Sequence, residues 1–251
     1  MLSWAQQRRI FFIGGVLLFL LVVFGIYGLF AFYNAPDCRN GSRDGDERGV
    51  DCGGSCLRVC RADTVPLIVH FTRTFEVSRG VWGAVASGEN RNTGAGARNV
   101  PYVFKLYDAE NLLLYERHGM AFIPPRKVFA IFEGQMQSGS RTPTRATFEF
   151  EAEPEFVRMS EPALSVVTKG FTADERGSFL EATLSNLSRV PIEGIELTAL
   201  LYGRDGNVIG ASATTVKTLA GEAQSVLTFT WPSKLPLPAR TEVLYAVPGR
   251  L

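Results

Sequence analysis

A chain of 251 residues has room for one or two domains. Its 26 basic and 25 acidic side chains leave a net charge of +1, too weak a field to draw nucleic acid. Only two histidines are present, His70 and His118, far apart in sequence, so the side chain most used for acid–base and metal chemistry near neutral pH is scarce.

In chain order, a short N-terminus (1–9) carries Arg8 and Arg9 and no acid. Residues 10–33 then run without a charge, long enough as a helix to cross a hydrocarbon core of about 30 Å. Trp4 is placed near one interface, Tyr27 and Tyr33 near the other, and Pro36 marks the stop. The run exceeds the roughly 7–15 residues of a cleavable signal's apolar stretch, and Ala35-Pro36-Asp37-Cys38 is no lipoprotein cleavage site. The reading is an uncleaved, single-pass signal anchor whose partner is the lipid bilayer. Arg39, Arg43 and Arg48 on the far flank balance the N-terminal pair, so positive charge alone does not orient it. Long C-terminal domains translocate regardless of charge, which favours a cytoplasmic N-terminus and extracytoplasmic C-terminal domains.

A cysteine-rich segment (37–60) follows, holding Cys38, Cys52, Cys56 and Cys60. Structural zinc sites favour two-residue knuckles, whereas both short gaps here contain three residues. Outside the cytoplasm an even set of cysteines in a Gly-rich loop reads as two disulfides, with three pairings open. Zinc and a redox role are the alternatives, the latter without a C-x-x-C to support it. Asp44, Asp46, Glu47 and Asp51 offer oxygen to calcium, but their spacing is not that of an EF-hand, and a solvated turn is the simpler reading.

Beyond Cys60 the chain changes to short β-rich runs broken by Gly, Pro, Asn and Asp. In Val100–Asp108, Val100, Tyr102, Phe104 and Leu106 share one face and Lys105 takes the other, the period of a half-buried strand. Leu112–Tyr115, Val128–Phe132 and Arg145–Phe150 read as further strands. A similar order recurs after Arg189-Val-Pro, where Leu201-Tyr202 answers Leu106-Tyr107 at an offset of about 90–95 residues, the length of one immunoglobulin-sized sandwich. The fold class expected is mainly β: the helix, the disulfide-rich segment, then tandem sandwiches over 64–150 and 163–248 joined by an acidic, Pro-containing linker (151–162).

The string Phe104-Lys105-Leu106-Tyr107-Asp108 resembles the F-x-L-Y-D motif of bacterial FxLYD-type, immunoglobulin-like extracellular domains. The second repeat is degenerate there, Ala199-Leu-Leu-Tyr-Gly203. The cysteine segment, with Asn40-Gly, Asp44-Gly, Glu47 and Gly49-Val-Asp-Cys-Gly-Gly54, resembles a short module of bacterial envelope proteins that sits beside membrane anchors and β domains. The resemblance implies an anchored surface protein and carries no chemistry with it.

Candidate catalytic groups are few. His70 and His118 read as structural, and Glu89, Asp108 and Asp205 as turn residues. No G-x-S-x-G, S-x-x-K, H-E-x-x-H or phosphate-binding Gly loop is present. Asn40-Gly-Ser42 and Asn186-Leu-Ser188 match the N-glycosylation pattern. The function expected is a non-catalytic envelope protein that presents two sandwiches to a protein or polysaccharide, with no cofactor. An envelope enzyme or accessory subunit, and a cytoplasm-facing zinc protein of inverted topology, are the alternatives.

Overall fold

The computed structural model describes residues 3–32 and 36–248. Helix α1 spans Trp4–Phe32. It begins on a capping box in which Ser3 Oγ accepts the Gln6 backbone N–H (3.4 Å) and Gln6 Oε1 accepts that of Ser3 (3.0 Å). Within it, Gln6–Gly28 is the one described segment long and apolar enough to cross a membrane, with a mean hydropathy of 2.8. None of that stretch packs against the rest of the chain. Tyr33, the expected end of the span, lies outside the described residues.

Thirteen strands follow among the described residues; the expected runs Val128–Phe132 and Arg145–Phe150 fall inside strands, and Val100–Asp108 and Leu112–Tyr115 each overrun one by a single residue, Asp108 and Leu112. The first sandwich pairs a sheet of β1 (Ile68–Ser78), β2 (Val81–Asn90) and β5 (Lys127–Gln137) with one of β4 (Leu113–Ile123), β3 (Ala95–Tyr107) and β6 (Arg145–Phe150). The alternation along β3 is realised: Val100, Tyr102, Phe104 and Leu106 are all buried in the core between the two sheets. Phe104, Phe148 and Phe150 form a chain of rings there, with neighbouring centroids 4.9 Å apart. Burying one such side chain fully contributes about 2–3 kcal/mol.

The second sandwich repeats the plan. β8 (Leu164–Asp174), β9 (Gly177–Asn186) and β12 (Gln224–Trp231) make one sheet, and β11 (Val208–Leu219), β10 (Ile192–Tyr202) and β13 (Arg240–Ala246) the other. The repeat extends to backbone detail. Left-handed φ angles recur at Asn99 and Gly194, at Asn111 and Gly206, and at Arg126 and Glu222. Arg126 N–H donates to the Asn92 carbonyl as Glu222 N–H does to that of Ser188. The buried amides of Asn90 and Asn186 occupy matching strand ends. Asn90 Nδ2 donates to the Ala95 and Pro124 carbonyls (both 2.8 Å). Asn186 Nδ2 donates to those of Val190, Leu219 and Ala220.

Two features depart from tandem beads on a linker. Within the stretch expected as linker, Phe156–Arg158 forms β7, which pairs with the start of β3, and Phe156 is buried in the first core. Its three residues were hidden in the sequence by the acids and prolines around them. The sandwiches also share a third core: Phe71, Phe75, Val85, Ala130 and Phe132 from the sheet β1-β2-β5 meet Leu200, Tyr202, Val208, Ala211 and Leu244 from β11-β10-β13. Arg73 Nη2 adds a hydrogen bond to Asn207 Oδ1 across the junction (3.1 Å). The four sheets therefore form one stack, held by apolar burial between the inner pair as well as within each sandwich.

Candidate functional site

The cysteine segment is closed by disulfides Cys38–Cys56 and Cys52–Cys60, which selects one of the three pairings. It is docked on the first sandwich. Val59 N–H donates to the Phe156 carbonyl (2.9 Å), Arg158 N–H donates to that of Leu57 (2.7 Å), and Val59 packs against the first core. Arg58 pairs with Glu155 at 2.9 Å and Arg61 with Glu153. β7 is thus the strand on which the module sits.

Inside the module Glu47 is buried and organises the loop, its Oε2 accepting the Asp51 backbone N–H (3.1 Å). Cys38, Glu47 and Cys56 form the one group of metal-ligand side chains drawn together among the described residues. The two sulfurs are bonded to each other, so they present no thiolate, and the zinc alternative finds no free cysteine here. The acids considered for calcium serve the loop itself. Asp44 Oδ2 accepts from Asn40 Nδ2, Asp51 accepts the Gly41 N–H, and Asp46 accepts the Ser55 hydroxyl (2.8 Å), which lowers its pKa.

The F-x-L-Y-D string is structural. Phe104 and Leu106 are wholly buried, and Arg145 lies over the Tyr107 ring at 4.3 Å. Arg240 stacks on Tyr202 at 3.8 Å in the degenerate repeat. Asp108 Oδ1 accepts the backbone N–H groups of Glu110 and Leu112, and Oδ2 meets Arg141 Nη1 at 2.5 Å. Burial opposes its ionisation, but those donors outweigh it and the carboxyl pKa is lowered. Asp205 caps its own turn through the Asn207 N–H (3.1 Å), and Glu89 meets Arg91 at 3.2 Å and His70 at 3.7 Å. His118 bridges Glu151 (2.9 Å) and Glu116 (2.8 Å) on the exposed face of β4. None of these groups is brought together with another into an acid–nucleophile constellation.

The recess with a chemical character of its own lies between the sandwiches, beside the third core. It opens between the edges of β4 and β5 on one side and strands β10, β11 and β13 on the other, with a volume of about 180 Å³. Phe122, Phe129, Leu197 and Tyr245 line it with apolar surface, and Tyr102 and Glu196 bring polar atoms. Tyr102 reaches across its strand partner Gly119, where a Cβ would stand 2.3 Å from the hydroxyl, so that position must be glycine. The hydroxyl donates to Glu133 Oε1 (2.6 Å) on the opposite sheet. Burial and that carboxylate push the phenol pKa up. Glu196 stands exposed at the mouth, and its carboxylate has no hydrogen-bond or ion-pair partner among the described residues. Partial burial raises its pKa.

Sequence reasoning did not find this recess, because its walls come from both repeats. One signal was present: Leu197-Thr-Ala-Leu-Leu-Tyr202 loses the alternation that β3 keeps, as expected for a strand covered on both faces.

No family model and no curated protein matches the chain. Among solved structures it is similar to red sea bream transglutaminase at 11% identity and a TM-score of 0.24, over 73% of this chain and 31% of that one. It is also similar to the mu-homology domain of yeast delta-COP-I at 8% identity and a TM-score of 0.24, over 72% of this chain and 80% of that one. The chain spans less than a third of the transglutaminase. At this level of similarity neither neighbour transfers a fold or an activity.

Proposed function

We propose that the chain is a non-catalytic, single-pass protein of the cell envelope, its N-terminus cytoplasmic and its two sandwiches extracytoplasmic. There the sandwiches present a stiff body to a protein or polysaccharide partner. The observation that carries this reading is the order of a span-length apolar helix followed within a few residues by two disulfides. Disulfides persist in oxidising compartments, so the module belongs on the far side of the membrane from the N-terminus. Its docking on β7 then sets the stack close to the bilayer. The sandwiches are read as immunoglobulin-like and FxLYD-type on the motif at Phe104–Asp108.

The non-catalytic part of the reading is supported by the uses found for the candidate acids. Asp108, Asp205 and Glu89 all serve turns or ion pairs. Protease shaving of intact cells, combined with a thiol count under non-reducing conditions, tests topology. Cleavage of the stack with four blocked thiols is expected, whereas a protected stack with free thiols reverses the orientation. Cross-linking on intact cells should capture a partner; turnover of an envelope substrate by the purified protein would replace binding with catalysis.

A further inference from the structure

The neighbouring wall of the inter-sandwich recess already holds an ammonium group. Lys127, at the start of β5, lays its Nζ 3.7 Å from the centre of the Tyr245 ring and pairs with Glu161. Phe122 and Tyr245 line both that site and the adjoining recess. Burial pushes the pKa of the Lys127 ammonium down to about 8. At this junction an ammonium group therefore sits between an aromatic ring and a carboxylate, on a partly buried stem.

The recess repeats two of these three parts and lacks the cation. Tyr102, Tyr245, Phe122 and Phe129 supply aromatic walls, and Glu196 supplies a carboxylate with no ion-pair partner among the described residues. No Lys, Arg or His lines it. Its volume of about 180 Å³ exceeds the roughly 150 Å³ that accommodates benzene, and falls below the roughly 300 Å³ at which drug-sized pockets begin. We propose that the recess binds a primary alkylammonium group on a short apolar stem, its charge paired with Glu196 and its stem set among the rings at the junction of the two sandwiches. Such a group is carried by a free monoamine and by a lysine side chain alike.

An ammonium site here presumes that the stack is a binding body, yet it is measured on purified protein and is indifferent to topology. Its failure would leave the shaving and capture experiments standing. The full chain in lipid nanodiscs would be titrated with n-pentylammonium, 1-pentanol and Nα-acetyl-lysine methylamide. Chemical shifts of the Tyr102 and Tyr245 rings and the Leu197 and Leu244 methyl groups follow the lining of the recess. Pentylammonium is expected to bind roughly ten-fold more tightly than pentanol, and Glu196→Gln to remove that preference. Glu181→Gln, on the far face of the second sandwich, is expected to leave binding unchanged. Tighter binding of the lysine derivative than of pentylammonium assigns the site to a polypeptide lysine, and the reverse order to a free amine. Equal binding of pentanol and pentylammonium, no shift with either, or an undiminished preference in a folded Glu196→Gln protein overturns the proposal. The alcohol comparison on the unaltered chain decides the matter even if that variant fails to fold.

Discussion

The two sandwiches use the same scaffold but dress its outer faces in opposite ways. On the sheet β1-β2-β5 of the first, the outward positions Phe71, Val85, Ala130 and Phe132 build the shared core. The matching positions of the second, about 95 residues on, are Val167, Glu181, Val226 and Thr228, all exposed. The reverse holds for the other pair of faces. Leu200, Ala211 and Leu244 of the second sandwich lie in the junction, where the first carries Lys105, Glu116 and Glu149 on its free surface. Each repeat thus has one apolar face turned to its neighbour and one face turned to water that carries charge, with Val167 and Val226 exposed beside Glu181 on that of the second.

The contact is heterologous, the front of one repeat on the back of the next, a geometry that would continue indefinitely if both ends stayed apolar. Charge on the two end faces opposes further stacking, as polar terminal repeats do in a solenoid. Glu181 and Glu116 stand at positions matching Val85 and Ala211, which share the junction. Further stacking would therefore set carboxylates against one another.

Giving the junction the residue of the free face is the most severe way to break this contrast. Leu200→Lys, the residue found at Lys105, buries an ammonium with no partner and is expected to cost on the order of 3–5 kcal/mol. Calorimetry should then resolve two transitions in place of one, and small-angle scattering a more extended particle. Next come the matched amides, Asn90 and Asn186, at 0% and 2% exposure. Alanine at either leaves carbonyls unsatisfied and should lower stability by about 2–4 kcal/mol by denaturant titration, more at Asn186, which serves three acceptors against two. The same burial makes Asn186-Leu-Ser188 a sequon in pattern only, to be confirmed by mass spectrometry after expression in a glycosylating host. Asn40 is exposed.

A milder change sharpens the comparison from the outside. Glu181→Val with Thr228→Phe gives the free face the character of the buried one, and concentration-dependent self-association by sedimentation is the expected outcome. The smallest effect belongs to His118, which stands where the second repeat has Ala213. Hydrogen bonds first to Glu151 and then to Glu116 raise its pKa above the usual 6.5. The folded state therefore binds the proton more tightly than the unfolded one. Its stabilisation is complete below pH 6.5 and disappears as pH rises through the raised value. NMR titration should place His118 above 6.5, and Glu151→Gln should bring it down.

Much of the fold was legible in the sequence because it rests on local pattern. An uncharged run of bilayer length predicted the apolar helix α1, and period-two alternation along Val100–Leu106 placed those side chains in the core. The matched amides were not legible in this way: only the contacts show that Asn90 and Asn186 are buried and tie strand ends together. The F-x-L-Y-D string was visible as a motif, but its work as core, cation–π platform and turn cap emerged only from the contacts of Asp108 and Tyr107.

What the sequence determined by itself was an apolar helix of span length, two β repeats and a clustered set of four cysteines. Tertiary structure alone decided the disulfide pairing, the docking of the module on β7, the stacking of the sandwiches and the recess with Glu196 at its mouth. Each of these depends on groups far apart in the chain. Cys38 and Cys56 are brought together by the loop around Glu47, and Tyr102 and Glu196 by the burial of Phe132 and Val85 against Leu200. Apolar alternation says which face of a strand is covered. It carries no information about which other surface of the molecule covers it, because the hydrophobic effect is non-directional and that choice is made by shape and charge between distant residues.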